Sequence, residues 1–238
     1  MKLFGEIFDF LFPADCPICL EPVSRIGGVC AACFNKINWI SDQICNKCGY
    51  PFPADMGRIE RCPRCITDRK SKSVDKLRCA CVYDEGSKQI VLPFKHSGKF
   101  RFDRTMANSI IGVMRDIKDV DIVVPVPLAW RRMVLRGYNQ AALIGRIIAR
   151  RQKLGYEGNL IAREWRPDQG HKSPRERRKN IVGVFRLRRQ ETIREKHILI
   201  VDDVVTTGAT IDELAKVLLR GGAKKVSAVA FARAVKDI

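Results

Sequence analysis

Eight of the ten cysteines in this 238-residue chain fall into four Cys-x-x-Cys pairs: Cys16/Cys19, Cys30/Cys33, Cys45/Cys48 and Cys62/Cys65. Each pair puts two thiolates on one tight turn, and two such turns facing each other supply the tetrahedral all-sulfur shell that Zn2+ prefers. Pro17 and Pro63 inside the knuckles and Gly49 just past one suit such turns. A lone pair could be a redox dithiol, but four pairs with no thioredoxin-like strand and helix around them read as metal ligands. The chain has no evident export signal, which argues against a disulfide framework and predicts a cytoplasmic protein. Two structural zinc sites are expected, with every position filled by protein and none left for a catalytic water. Sequential pairing makes two successive ribbons, whereas interleaved pairing makes one cross-braced unit. The sequential scheme is favoured because its loops are shorter to close. So small a segment builds little core, so metal binding, worth on the order of 10 kcal/mol per site, decides whether it folds, and chelation is expected to unfold it alone. Cys79 and Cys81 share one face of a predicted strand and read as buried small apolar residues.

The second chemical signal is the run HILIVDDVVTTGAT at 197–210. An apolar strand ends in the adjacent carboxylates Asp202 and Asp203, and a Thr/Gly-rich turn leads into a helix. Ligands of open parallel sheets bind at the carboxyl ends of strands. The turn formed by Thr206, Thr207, Gly208, Ala209 and Thr210 can aim backbone N–H groups and three hydroxyls at a phosphate, with the helix N-terminus adding positive potential. Carboxylates beside a phosphate cradle make sense if they hold sugar hydroxyls or Mg2+, so the pattern fits a ribose 5-phosphate. A plain strand-turn-helix corner accounts for one capping aspartate, not for two with three threonines.

The elements that must position these residues alternate. Strand patterns at 77–83, 121–125, 197–201 and 226–231 are interleaved with helical ones at 87–94, 103–114, 139–154 and 209–219. That alternation predicts an α/β fold, a mostly parallel sheet covered by helices on both faces. The boundary is placed so that residues 1–72 form an N-terminal helix and the Cys-rich zinc-ribbon module, and residues 73–238 the α/β domain, with a polar linker at 67–74. The apolar stretch at 3–12 is broken by Glu6 and Asp9 and falls short of the ~20 residues of a membrane span. It reads as a short amphipathic helix with Leu3, Phe4, Ile7, Phe8 and Leu11 on one side, and no membrane span is expected.

The run ending Asp-Asp-x-x-Thr-Thr-Gly-x-Thr resembles the phosphoribosyl pyrophosphate (PRPP) signature of type I phosphoribosyltransferases. That resemblance implies that Asp202 and Asp203 contact the ribose 2- and 3-hydroxyls and carry the catalytic role. It assigns the PRPP phosphate to Val204, Val205 and the turn from Thr206 to Thr210, and it implies Mg2+ bound with PRPP. Together with the cysteine knuckles, the chain as a whole resembles the ComF family of competence-associated proteins. Val124-Pro125-Val126-Pro127-Leu128, then Arg131, Arg132 and Arg136-Gly-Tyr-Asn-Gln140, is similar to the family's second motif, whose turn is the pyrophosphate loop of type I phosphoribosyltransferases. A guanidinium fork suits that loop because it holds two phosphate oxygens at once. Gln169, Arg177, Asn180 and Phe185 resemble the family's flexible-loop region, and Lys172 departs from it, standing where the family usually has an apolar residue. Competence-machinery helicases or recombination proteins are the partners such a resemblance implies.

Charge carries a further expectation. The formal net charge is +18, and two four-thiolate zinc sites at about −2 each leave the metal-bound form at about +14. Residues 131–153 hold seven basic and no acidic side chains, and residues 163–196 hold twelve basic against five acidic. A PRPP site needs only a few cations, so the surplus predicts non-specific single-stranded DNA binding through phosphate contacts. Arg136, Lys172, Arg175, Arg177, Arg178 and Lys179 are its expected contacts, with Trp130, Tyr138 or Trp165 as stacking faces; a basic surface serving solubility alone is the plainer alternative. Two classes of function follow. One is an enzyme displacing pyrophosphate from PRPP. The other is a ligand-binding, DNA-handling module that keeps the fold, and the acceptor pocket that would decide between them is not readable in the sequence.

Overall fold

The computed structural model describes residues 14–41, 43–53, 59–67, 73–96, 101–164 and 181–235. The predicted N-terminal helix, the nucleic-acid contacts Lys172, Arg175, Arg177, Arg178 and Lys179, and also Trp165, Gln169 and Asn180 lie outside the described residues.

Among the described residues, five parallel strands form the sheet. In chain order they are β1 (Leu77–Val82), β2 (Ile122–Pro125), β3 (Gly155–Tyr156), β6 (His197–Val205) and β7 (Lys225–Arg233), and their spatial order is β1-β7-β6-β2-β3. β4 (Ile161–Arg163) and β5 (Phe185–Leu187) make a separate antiparallel pair. The central strands are apolar nearly throughout, as a sheet covered on both sides requires. Alternation divides them between two cores. Leu199, Val201, Val229 and Phe231 pack against α3 (Glu85–His96), α4 (Arg101–Val113) and α6 (Gln140–Gln152). Ile198, Ile200, Ala228 and Ala230 pack against α7 (Ala209–Arg220) and the β4–β5 pair.

The expected strand at 197–201 runs on to Val205, because β7 continues beside it: Asp202 pairs with Ala230, Val204 with Ala232 and Val205 with Arg233. The carboxylates therefore stand within the end of the ladder rather than just past it. A further helix, α5 (Trp130–Arg136), occupies the stretch read as a loop. Its periodicity is hidden because Val134 and Leu135 are 68% and 84% exposed, so no apolar stripe marks it.

Among the described residues, the cysteine-rich segment carries two short helices, α1 (Ala31–Phe34) and α2 (Pro63–Thr67), and lies along the outer edge of β1. Ile40 N donates to Ala80 O, Val82 N to Asn38 O and Leu77 N to Lys47 O. These bonds pair an edge strand that would otherwise present open backbone groups. Gly49, at φ +64°, lets the second ribbon approach so closely that a Cβ there would lie 2.4 Å from the Leu77 carbonyl oxygen. Arg78 ties the two parts further, donating to Asn46 O and to both Asp116 carboxylate oxygens. Cys79 and Cys81 are buried, as expected, and burial pushes the Cys79 thiol up to about 11.

Candidate functional site

Two sets of four cysteines converge. The sulfurs of Cys16, Cys19, Cys30 and Cys33 lie within 4.8 Å of one another, as do those of Cys45, Cys48, Cys62 and Cys65. The sequential pairing is the one the fold adopts. Burial pushes Cys16 up, but backbone N–H groups of Cys19, Cys30 and Ile18 outweigh it and bring the thiol down to about 6. Cys45 falls to about 4, first through the Cys48 thiol and, against burial, through the N–H groups of Cys48, Cys62 and Lys47. Their neighbours move the other way: burial and then the adjacent sulfurs raise Cys33 to about 12. Four crowded thiols that cannot all ionise alone are a donor set a divalent soft cation completes, and both sites fit structural Zn2+ with no open position.

The second constellation lies where β6 meets α7. Asp203 N donates to Asp202 Oδ1 at 2.9 Å and Val204 N to Asp203 Oδ1 at 2.7 Å. Lys95, in the last turn of α3, puts Nζ 3.0 Å from Asp203 Oδ2, and both side chains are largely buried. Burial first, and the Asp203 charge second, hold the Asp202 carboxyl well above the ordinary carboxylate range. Past Val205 the turn reaches Gly208, which caps α7 at φ +75°; Ala209 N donates to Thr207 Oγ1 at 3.3 Å.

Across from the carboxylates, Val126, Pro127 and Leu128 leave the end of β2, and Asn139 braces them: Nδ2 donates to Val126 O at 3.0 Å while Oδ1 caps the start of α6. Arg136 Nη1 donates to Gln140 Oε1 at 3.3 Å. Gln140 is buried, and its Nε2 has no hydrogen-bond partner among the described residues. These groups, with Lys95, Arg163, Asp202, Asp203, Val204 and Thr210, enclose a cleft of about 190 Å3. A buried, unanswered amide donor beside cations and an acid pair suits a polar, oxygen-rich ligand.

Of the residues read from the sequence, Asp202, Asp203, Val204, Thr210, Val126, Pro127, Leu128 and Arg136 meet in this cleft. Thr207 and Gly208 line a second hollow on the outer side of the turn, against Lys47, Arg64 and Arg233. Val205 is 2% exposed and its carbonyl accepts from Ala234 N, so its side chain belongs to the core. Thr206 is exposed on the turn, and Ala209 opens α7. Arg131 is exposed on α5 and is not among the lining residues, and the Arg132 side chain lies outside the described set. Tyr138 packs against Phe94 and its hydroxyl donates to the Phe94 carbonyl, so it offers no open stacking face, whereas Trp130 is 58% exposed. Phe185 is buried in β5 beneath the Arg163 guanidinium. The sequence reading missed Lys95 and Arg163, and it named Asn139 and Gln140 in the second motif without giving either a place in the site. A lysine in the last helical turn was the only local cue for Lys95, and nothing local couples it to a residue more than a hundred positions away.

A basic groove was also missed. Arg25 of the first ribbon meets Arg104 and Arg115 from the α4 region and Arg151 of α6 around a groove of about 830 Å3, with no carboxylate among the described residues lining it. Elsewhere the basic surplus is partly taken up in ion pairs: Arg186 with Glu164, Arg189 with Glu157 and Lys196 with Asp121.

Residues 7–66 match the model of the double zinc ribbon domain and residues 141–237 that of the phosphoribosyl transferase domain. The chain is 29% identical over 215 residues to Competence protein F of Haemophilus influenzae, covering 87% of this chain and 91% of that protein. It is 29% identical over 223 residues to DNA utilization protein YhgH of Escherichia coli K12, covering 90% and 94%. With Competence protein ComFC of Streptococcus pneumoniae it shares 28% over 203 residues, covering 80% and 87%. No helix among the described residues is long and apolar enough to cross a membrane.

Proposed function

We propose that the chain is a ComF-type protein, a double zinc ribbon joined to a phosphoribosyltransferase domain, that binds PRPP and handles single-stranded DNA in natural competence. The observation that carries the first half is the meeting of Asp202, Asp203 and Thr210 with Val126, Pro127, Leu128 and Arg136 around one cleft. The 5-phosphate is held by the turn from Thr206 to Thr210 at the N-terminus of α7. The ribose hydroxyls face the Asp202 and Asp203 oxygens, and Lys95 keeps Asp203 aligned while offsetting its charge. Arg136 and the backbone of 126–128 take the pyrophosphate, and the unpartnered Gln140 amide donates to one of its oxygens. Mg2+ arriving with PRPP would be held by the diphosphate and the Asp202 and Asp203 oxygens, hard donors of the kind it takes, and would supply charge neutralisation of the leaving group. The protein's part in transfer is electrostatic: cations placed where pyrophosphate departs, and carboxylates placed beneath a ribose ring that gains positive charge.

Single-stranded DNA is carried by the basic surplus, and the groove of Arg25, Arg104, Arg115 and Arg151 supports a path for its phosphates that spans the first ribbon and the α/β domain. The second reading is an active phosphoribosyltransferase with no DNA role, favoured by a cleft that keeps its carboxylates and cations intact. One experiment addresses both: pyrophosphate release from PRPP with Mg2+ and a panel of nitrogen acceptors, with and without single-stranded DNA, beside calorimetry of PRPP binding. Saturable PRPP binding without release supports the module, release independent of DNA supports the enzyme, and no heat with PRPP or ribose 5-phosphate overturns both.

A further inference from the structure

Among the described residues, one side chain hydrogen-bonds the second zinc ribbon to the phosphate turn. Arg64 stands between the ligand cysteines Cys62 and Cys65, and its Nη2 donates to the Thr207 carbonyl at 2.7 Å. In a trans peptide the C=O and the following N–H point in opposite directions. Holding the Thr207 carbonyl toward the ribbon therefore aims the Gly208 N–H away from it. Gly208 lacks a Cβ and stands at φ +75°, so this peptide plane is one that can flip at little steric cost unless something fixes it. Thr207 Oγ1 secures the next amide, Ala209 N, but leaves the 207–208 plane itself unbraced.

The anchor behind Arg64 is firm. Cys62 N donates to Cys45 Sγ and Asn46 N to Glu60 O, joining the two knuckles of the second ribbon. The Cys45/Cys48 knuckle is fastened to the sheet by Arg233, whose Nη1 donates to Cys48 O at 2.6 Å and which is itself 5% exposed on β7. A guanidinium is suited to the contact because it remains charged at any physiological pH and presents a fixed fork of donors.

We infer that Arg64 is a positioning residue for the phosphate turn: carried on a zinc knuckle, it locks the Thr207–Gly208 peptide in the orientation that offers the Gly208 N–H to a phosphoryl oxygen. The inference rests on the phosphoribosyl-binding reading and deepens it, since it makes the second four-cysteine cluster part of the apparatus that recognises the 5-phosphate.

The test compares the wild-type chain with Arg64→Ala and Arg64→Lys, all zinc-loaded and shown to carry two zinc ions and to melt alike. Ribose 5-phosphate and PRPP affinities are measured by calorimetry with Mg2+, and amide exchange at Gly208 and Ala209 is followed in the ligand-free protein. Loss of one charge-assisted hydrogen bond at an exposed site should weaken ribose 5-phosphate about fivefold in Arg64→Ala and speed Gly208 exchange, with Arg64→Lys recovering part of both. Affinity and exchange unchanged in Arg64→Ala, with the wild type binding normally, overturns this inference and leaves the functional reading standing. A wild type that binds neither ligand overturns the functional reading and this inference with it.

Discussion

The carboxyl of Asp202 is more easily protonated in the folded chain than in the unfolded one, through burial first and the neighbouring Asp203 charge second. Because the fold binds this proton more tightly, stability falls as pH rises from the ordinary carboxylate range through the raised value, and it stays lower above it. Asp202→Asn removes that cost. The variant is expected to be more stable than the wild type at pH 7 in urea unfolding, with the gap closing toward pH 4. In calorimetry the same substitution should weaken PRPP binding about tenfold through a lost charged acceptor. Lys95 supplies the opposite case. Lys95→Met leaves Asp203 without its cation at 3.0 Å, and a partly buried charge deprived of its partner should cost about 2 kcal/mol at neutral pH. Combining it with Asp202→Asn should recover part of that loss, which a double-mutant cycle measures. Asp202 and Asp203 were legible in the sequence because adjacent acids after an apolar run are locally conspicuous. Lys95 was not, because its role depends on α3 ending beside β6.

At the scale of elements, β1 borrows its outer hydrogen-bond partners from the ribbons: Asn38, Ile40 and Lys47 pair with Val82, Ala80 and Leu77. Chelation should therefore reach beyond the cysteine-rich segment. The expected outcome is faster amide exchange across Leu77–Val82 but not across β6, together with concentration-dependent scattering as an unpaired edge is opened. Confinement of the exchange change to residues before 68 would contradict this docking and restore the simpler expectation drawn from the sequence. Gly49→Ala probes the same seam. A Cβ 2.4 Å from a backbone oxygen, at a positive φ, cannot be absorbed by a side-chain shift. It should cost about 2 kcal/mol or more in urea unfolding and loosen zinc in the second cluster, measured by chelator competition.

For the whole molecule, the groove of Arg25, Arg104, Arg115 and Arg151 joins residues from the first ribbon and two helices. If single-stranded DNA follows it, binding should weaken steeply with salt, and Arg104→Ala with Arg151→Ala should lower the log–log slope by roughly 0.7 each. Fluorescence anisotropy over a salt series checks this, and an unchanged slope moves the DNA path elsewhere. The sequence by itself determined the metal chemistry, the Thr/Gly turn that opens α7 and the alternation that makes a parallel sheet. Each is written in residues a few positions apart, where knuckle spacing, strand polarity and helix capping are local properties. Only the tertiary structure decided that the cysteine pairs close sequentially, that Lys95 and Gln140 enter the cleft, that Arg64 reaches Thr207 and that scattered arginines line one groove. Those outcomes depend on which faces and edges the packed sheet brings together, and no local spacing encodes a contact between segments that meet only when the core has formed.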